Sequence, residues 1–278
     1  MKRLLSLVLV VFAIPALASD ITLPEYERVE LANGAVLLLA EKHDVPMIGL
    51  RAGLRGGSVT DPQGKQGLAS LFATLIQKGA GERDSAAFAE AVAGVGGRLS
   101  AIAGLESVSI SAEFLSRDAE LMLELVGDML LRPALDDEEF VKARSRSIDL
   151  IRAAKDSDPS NLMSAYANAF LFGAHPYGSP ASGSETSLAG IGHDDLEQYY
   201  EEQVGGDRLV IAVAGDFDAA AMKARLTALF GEWRPAATPL PAPGTPARTT
   251  GGRVLLVDKP GATQTYFWIG NIGVALDY

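Results

Sequence analysis

The chain of 278 residues contains no cysteine, so neither a disulfide nor a thiolate metal site is open to it. Its three histidines, His43, His175 and His193, are too far apart in sequence to form the paired-histidine metal motif of a helix. No lysine and arginine cluster occurs, and 24 basic against 35 acidic residues give a net charge of −11. A phosphate-backbone binder needs a basic stripe, so the balance argues against a nucleic-acid partner. Beyond the first eighteen residues, no segment approaches the ~20 apolar residues of a membrane span. Gly178–Gly183 does not fit the G-x-S-x-G pattern of a serine nucleophile. The 48% hydrophobic content is that of an ordinary globular protein, which sets disorder aside.

The N-terminus reads as an export signal. Lys2 and Arg3 precede the apolar run Leu4–Ile14, and Ala16-Leu17-Ala18 supplies a small-residue cleavage site. Residues 1–18 are therefore expected to be removed, taking the net charge from −11 to −13. No cysteine follows to carry a lipid. The expected location is the periplasm or the exterior, with no integral membrane span after cleavage.

In the mature chain, apolar runs at Val36–Ala40 and Met47–Leu54 predict buried strands, with a turn between them. Leu68, Leu71, Phe72, Leu75 and Ile76 fall on one helical stripe, closed by Lys78-Gly79. Asp84 or Ser85 caps a second helix that ends at Gly96-Gly97. Leu99–Ala103 and the alternating Ser107–Phe114 predict two more strands. Helices are expected over Arg117–Leu131, from the acidic Asp136–Glu139 to about Ala154, from Asp158-Pro159 to Gly173, and from His193. A strand at Arg208–Ala214 and a helix at Ala219–Phe230 follow. The mixture of hairpins and helix pairs predicts an α+β fold, helices on one face of a mostly antiparallel sheet.

Composition changes at Arg234. Residues 19–234 form the expected first domain, and 235–252, rich in Pro, Ala, Thr and Gly, read as a linker. Strands at Arg253–Val257 and Thr263–Ile269 are expected to begin a second, similar domain over 253–278. Two strands do not make a stable domain, so a truncated second domain is expected.

The helix stretch Gly67-Leu68-Ala69-Ser70-Leu71-Phe72-Ala73-Thr74-Leu75-Ile76-Gln77-Lys78-Gly79 resembles the zinc helix of the pitrilysin/insulinase metallopeptidases, which include the mitochondrial processing peptidases. Further segments agree in order: Arg51-Ala52-Gly53, Asp61-Pro62, Gly96-Gly97-Arg98-Leu99-Ser100-Ala101, Leu131-Arg132-Pro133, His175-Pro176-Tyr177-Gly178 and Val213-Ala214-Gly215-Asp216. That family carries H-x-x-E-H, two histidines on zinc and a glutamate that activates water. Placed on this chain, the histidine positions hold Ser70 and Thr74, the glutamate position Ala73, and the third-ligand position Leu150, with Asp149 as the nearest carboxylate. Hydroxyl and hydrocarbon side chains do not replace imidazole or carboxylate on zinc.

The resemblance therefore implies a processing-peptidase-like fold, no metal and no catalytic residue in this chain, and zinc only in a catalytic homologous subunit. In that family peptide substrate pairs with a sheet edge; the corresponding segment here is Leu99, Ser100, Ala101, Ile102 and Ala103, which reads either as that peptide-binding edge or simply as an edge strand of the sheet. Two rival expectations are a stand-alone envelope protein that binds peptides or scaffolds, and an active zinc peptidase. The second needs an H-x-x-E-H, and no histidine lies between His43 and His175.

Overall fold

The computed structural model describes residues 25–247, 251–261 and 263–274; the expected signal peptide, residues 1–18, lies outside them. The first half of the chain forms β1 (Glu27–Glu30), β2 (Val36–Glu41), β3 (Met47–Arg55), α1 (Leu68–Leu75), β4 (Gly79–Ala80), β5 (Arg83–Asp84), α2 (Ser85–Gly94), β6 (Arg98–Ala103) and β7 (Ser107–Leu115). The second half forms α3 (Ala119–Leu131), α4 (Asp137–Asp156), α5 (Met163–Phe172), α6 (Glu185–Ala189), α7 (His193–Gln203), β8 (Leu209–Gly215) and α8 (Ala219–Phe230).

Alternation builds the sheet and divides its faces. Ile48, Leu50, Ala52 and Leu54 of β3 are buried, as are Val108, Ile110, Ala112 and Phe114 of β7. The residues between them, among them Arg51, Ser109, Ser111 and Glu113, turn to the other face and keep access to solvent. Helices cover the buried face. α1 contributes Leu68, Leu71, Phe72 and Leu75, and α3 contributes Met122, Leu125, Val126 and Met129 to the same core. Each such fully buried Leu, Phe or Met is worth about 1.5–3 kcal/mol.

The strand order is β1-β2-β8-β3-β7-β6. β2 and β3 are consecutive in sequence, yet β8 lies between them, parallel to β2 and antiparallel to β3. The other neighbours are antiparallel, so the sheet is mixed but mostly antiparallel, as the α+β reading expects. The insertion of β8 ties residues 209–215 into the centre of the same sheet as residues 36–55.

Several elements were not foreseen from sequence. β1 reads Glu-Arg-Val-Glu and exists because β2 offers it a ladder, not because of its own pattern. The expected single helix from Asp158 to Gly173 is a 3-10 turn at Pro159–Leu162 followed by α5. The two strands expected at Arg253–Val257 and Thr263–Ile269 do not form among the described residues. Val254 is 90% exposed and Ile269 96%, with no neighbouring strand to complete their ladders. This tail touches the rest of the chain at isolated polar points, Arg253 to the Phe170 carbonyl and Lys259 to the Ser157 carbonyl. The expected linker is also fixed at its start, because the Ala236 amide donates to Asp207 and the Thr238 carbonyl accepts from Arg208.

Candidate functional site

The helix that carries the degenerate motif is held at its start by a carboxylate. Asp61 accepts from the amides of Gly67 and Ala69, both at 2.8 Å, and so fills donors that the first turn of α1 leaves open. Burial pushes its pKa up to about 7, against the pull of those amides. Gly67 enters the helix at φ 103°, where a Cβ would meet Leu188 at 2.8 Å and the Ser182 carbonyl at 2.9 Å. Only glycine fits that junction.

The motif positions stand together on α1 without forming a metal site. The Ser70 hydroxyl donates to the Ala181 carbonyl at 2.7 Å, and that of Thr74 to the Ser70 carbonyl at 2.9 Å. Ala73 is 2% exposed and belongs to the core. Leu150, on α4, is 61% exposed, while its neighbour Ile151 packs against the core. The expected third-ligand position therefore points to solvent. The hydrocarbon side chain of Leu150 offers zinc nothing. The carboxylates nearby are committed elsewhere: Asp149 to Arg152 at 3.4 Å, and Glu185 to Arg152 at 3.2 Å and to Lys155. Hydrogen bonding to Lys155 holds the Glu185 pKa below its ordinary value. These residues do not fit a zinc ion, and no catalytic step through zinc can be derived for this chain.

β6 is the sheet's edge strand, paired on one side only, with β7. The Gly104 amide donates to the Ser107 carbonyl at 2.8 Å, which fixes the phase of that antiparallel pairing. Backbone groups of Arg98, Ser100 and Ile102 then turn towards β7, and those of Leu99, Ala101 and Ala103 turn outward. Side chains follow the other alternation: Leu99, Ala101 and Ala103 lean on the core, while Ile102 is 71% exposed. α1 packs beside this edge. A contact invisible to sequence reasoning joins the two elements. Gln77, just past the end of α1, donates its side-chain amide to the Ala73 carbonyl at 2.7 Å and the Ala101 carbonyl at 2.9 Å.

The histidines have separate structural partners. His43 bonds Asp216 at 2.6 Å and Glu41 at 2.8 Å; these carboxylates raise its pKa, the Asp216 bond most. His175 caps the 3-10 turn Pro176–Gly178 and donates to the Gly244 carbonyl at 2.7 Å. His193 donates to the Leu135 carbonyl at 2.5 Å. His193, Asp194 and Glu197 do lie within reach of one another. They stand in the first turns of α7, where the helix field favours anions over a cation, so helix-start chemistry accounts for them.

Two sequence profiles match the chain: Insulinase (Peptidase family M16) over residues 38–184, and Peptidase M16 inactive domain over residues 190–278. The second begins before α7, although β8 belongs to the same sheet as β2 and β3. An uncharacterized zinc protease of Mycobacterium leprae is 32% identical over 211 residues, 73% of this chain and 46% of that protein. A non-peptidase homolog of Helicobacter pylori is 26% identical, covering 77% of this chain and 48% of its own length. The chain thus spans about half the length of the curated relatives it matches. Among solved structures, a peptidase M16 inactive domain from Pseudomonas fluorescens superposes with a TM-score of 0.73 at 23% identity, covering 81% of this chain and 55% of that one. A Helicobacter pylori protease gives 0.73 at 19% identity, covering 80% and 54%. With the motif helix, the sheet edge beside it and these matches in agreement, the chain belongs to the insulinase family, peptidase family M16, as a member without the zinc motif.

Proposed function

We propose that this protein is an exported, noncatalytic subunit of a heteromeric zinc peptidase, one wall of a peptide chamber whose other wall is a catalytic homologue. The observation that carries the reading is the state of α1. The helix keeps its anchor at Asp61 and its place beside the β6 edge, while Ser70, Ala73 and Thr74 carry hydroxyls and a methyl where the chemistry of the family needs imidazoles and a carboxylate. A frame kept after its reactive groups are gone fits a role in enclosing and presenting peptide. Zinc belongs, in this reading, to the partner alone, and this chain binds no metal cofactor.

In this reading, the export signal expected over residues 1–18 directs the protein to the periplasm or outside the cell. Among the described residues no helix is long and apolar enough to cross a membrane. Peptide would pair with Leu99–Ala103, whose outward backbone groups need no particular side chain to be read. A mature net charge of −13 favours basic peptides, weakly and in a salt-dependent way.

The test is a reconstitution with the whole protein. Alone it should not hydrolyse peptides; mixed with a homologue that has an intact H-x-x-E-H, it should raise that partner's activity. A partner indifferent to this chain would favour a stand-alone peptide-binding or scaffolding protein. Chelator-sensitive hydrolysis by the unmixed chain would overturn the noncatalytic reading.

A further inference from the structure

We propose that the Gln77 carboxamide is a built-in stand-in for a bound peptide strand, occupying the central outward carbonyl of the β6 edge until a peptide displaces it. The inference rests on the reading of β6 as a peptide-binding edge. Of the three residues whose backbone groups turn outward there, Ala101 is in the middle, and its carbonyl accepts from Gln77 at 2.9 Å. The second amide hydrogen is spent on the Ala73 carbonyl at 2.7 Å. Both partners are carbonyl oxygens, so only the NH2 end of the side chain can face them. The group placed against Ala101 is thus an amide N–H, the same donor that the backbone of a paired strand would bring.

Two consequences follow from this geometry. The edge is not left bare when no peptide is present, and one acceptor in an unpaired row is removed from the template that an exposed edge offers to other chains. Peptide binding becomes an exchange at Ala101 rather than a simple addition, so it gains less there than at Leu99 or Ala103. Because Gln77 also holds Ala73, the exchange reports directly on the motif helix. Gln77 acts here as a positioning and gating residue, not a catalytic one.

The experiment uses the whole protein and a fluorescent twelve-residue peptide of alternating lysine and valine, with binding read by anisotropy at low salt. Gln77→Met keeps the length of the side chain and removes both donors, and Gln77→Ala removes the side chain. Both variants are expected to bind the peptide about fivefold to tenfold more tightly than the wild type, the scale of one net hydrogen bond. In the wild type, the side-chain NH2 resonances of Gln77 should shift as peptide saturates the protein, a readout that needs no variant to fold. Unchanged or weaker binding by variants that melt like the wild type overturns the gate and leaves the edge reading standing. Gln77 resonances that stay in place while peptide binds overturn it as well. Absence of binding in all three proteins overturns the edge reading itself, and the gate with it.

Discussion

The Thr74 hydroxyl donates to the Ser70 carbonyl 2.9 Å away, one helical turn back. The Ser70 hydroxyl in turn donates to the Ala181 carbonyl at 2.7 Å. Both positions that would face a metal are thereby engaged with backbone oxygens, and neutral hydroxyls are poor zinc ligands in any case. Elemental analysis of the mature protein after dialysis against a weak chelator should find no stoichiometric zinc. One zinc per chain surviving that treatment would refute the absence of a site.

Ala73 gives a sharper test, because it is 2% exposed in the packed core. Ala73→Glu restores the family's glutamate on paper, yet it introduces a carboxylate with no buried partner. The expected cost is about 3–5 kcal/mol, seen as a melting temperature lower by roughly 10 °C. Thr74→His, at a half-buried position, should cost far less. A melting temperature for Ala73→Glu within about 2 °C of wild type would mean that α1 leaves a polar channel at this position.

The sequence made the six-stranded core legible wherever a strand or helix carries its own period, as in Ser107–Leu115 and Ala219–Phe230. It failed where the cause lies elsewhere in the chain. β1 has one apolar residue in four and depends on β2, and no local pattern could place β8 between β2 and β3. The strands expected after residue 252 have the right composition but no neighbour to pair with among the described residues. At the site, Ser70, Ala73 and Thr74 were legible only through the resemblance of Gly67–Gly79 to the family's zinc helix, whose H-x-x-E-H lies within one or so helical turns. On α4 the burial of neighbours was not legible, since one position around a helix is about 100°, enough to put Leu150 in solvent and Ile151 against the core. Gln77 carried no signal at all, because its partner, Ala101, is 24 residues away and contributes only backbone.

His43 and Asp216, 2.6 Å apart, predict a pH dependence of stability with a definite sign. The pKa of His43 is raised above 6.5 by its bond to Asp216 and then by Glu41. Its stabilising contribution is complete below the unfolded value of 6.5 and is lost as pH rises through the higher folded value. The pKa of Asp216 is lowered below 3.8, first by the same bond and then by Ser116, so its contribution is present above 3.8 and lost as acid titrates the folded carboxylate. Urea midpoints of the wild type should therefore fall on going from pH 6 into the alkaline range, and His43→Gln should flatten that fall. Parallel curves for the two proteins would assign the pH dependence to other groups.

Arg208 is 1% exposed and, among the described residues, has no carboxylate in hydrogen-bond contact; its guanidinium donates instead to the Gln203 carbonyl at 2.9 Å, the Gln203 side chain at 2.8 Å and the Thr238 carbonyl at 2.6 Å. The Thr238 hydroxyl and amide both donate to the Glu202 carbonyl, and Arg234 reaches the Glu201 and Val204 carbonyls. Residues 234–238 are thus fastened to the end of α7, although their composition reads as linker. A protease of broad specificity should spare them and cut first beyond Thr238. Arg208→Ala leaves the Gln203 and Thr238 carbonyls without their donor, at a cost of about 2–3 kcal/mol. It should open a new cut within 235–238 before any cut in the sheet. A wild type cleaved first within 235–238 would show that these bonds do not hold the segment. Cleavage of the variant identical to that of the wild type would mean that Arg234 and Asp207 suffice without Arg208.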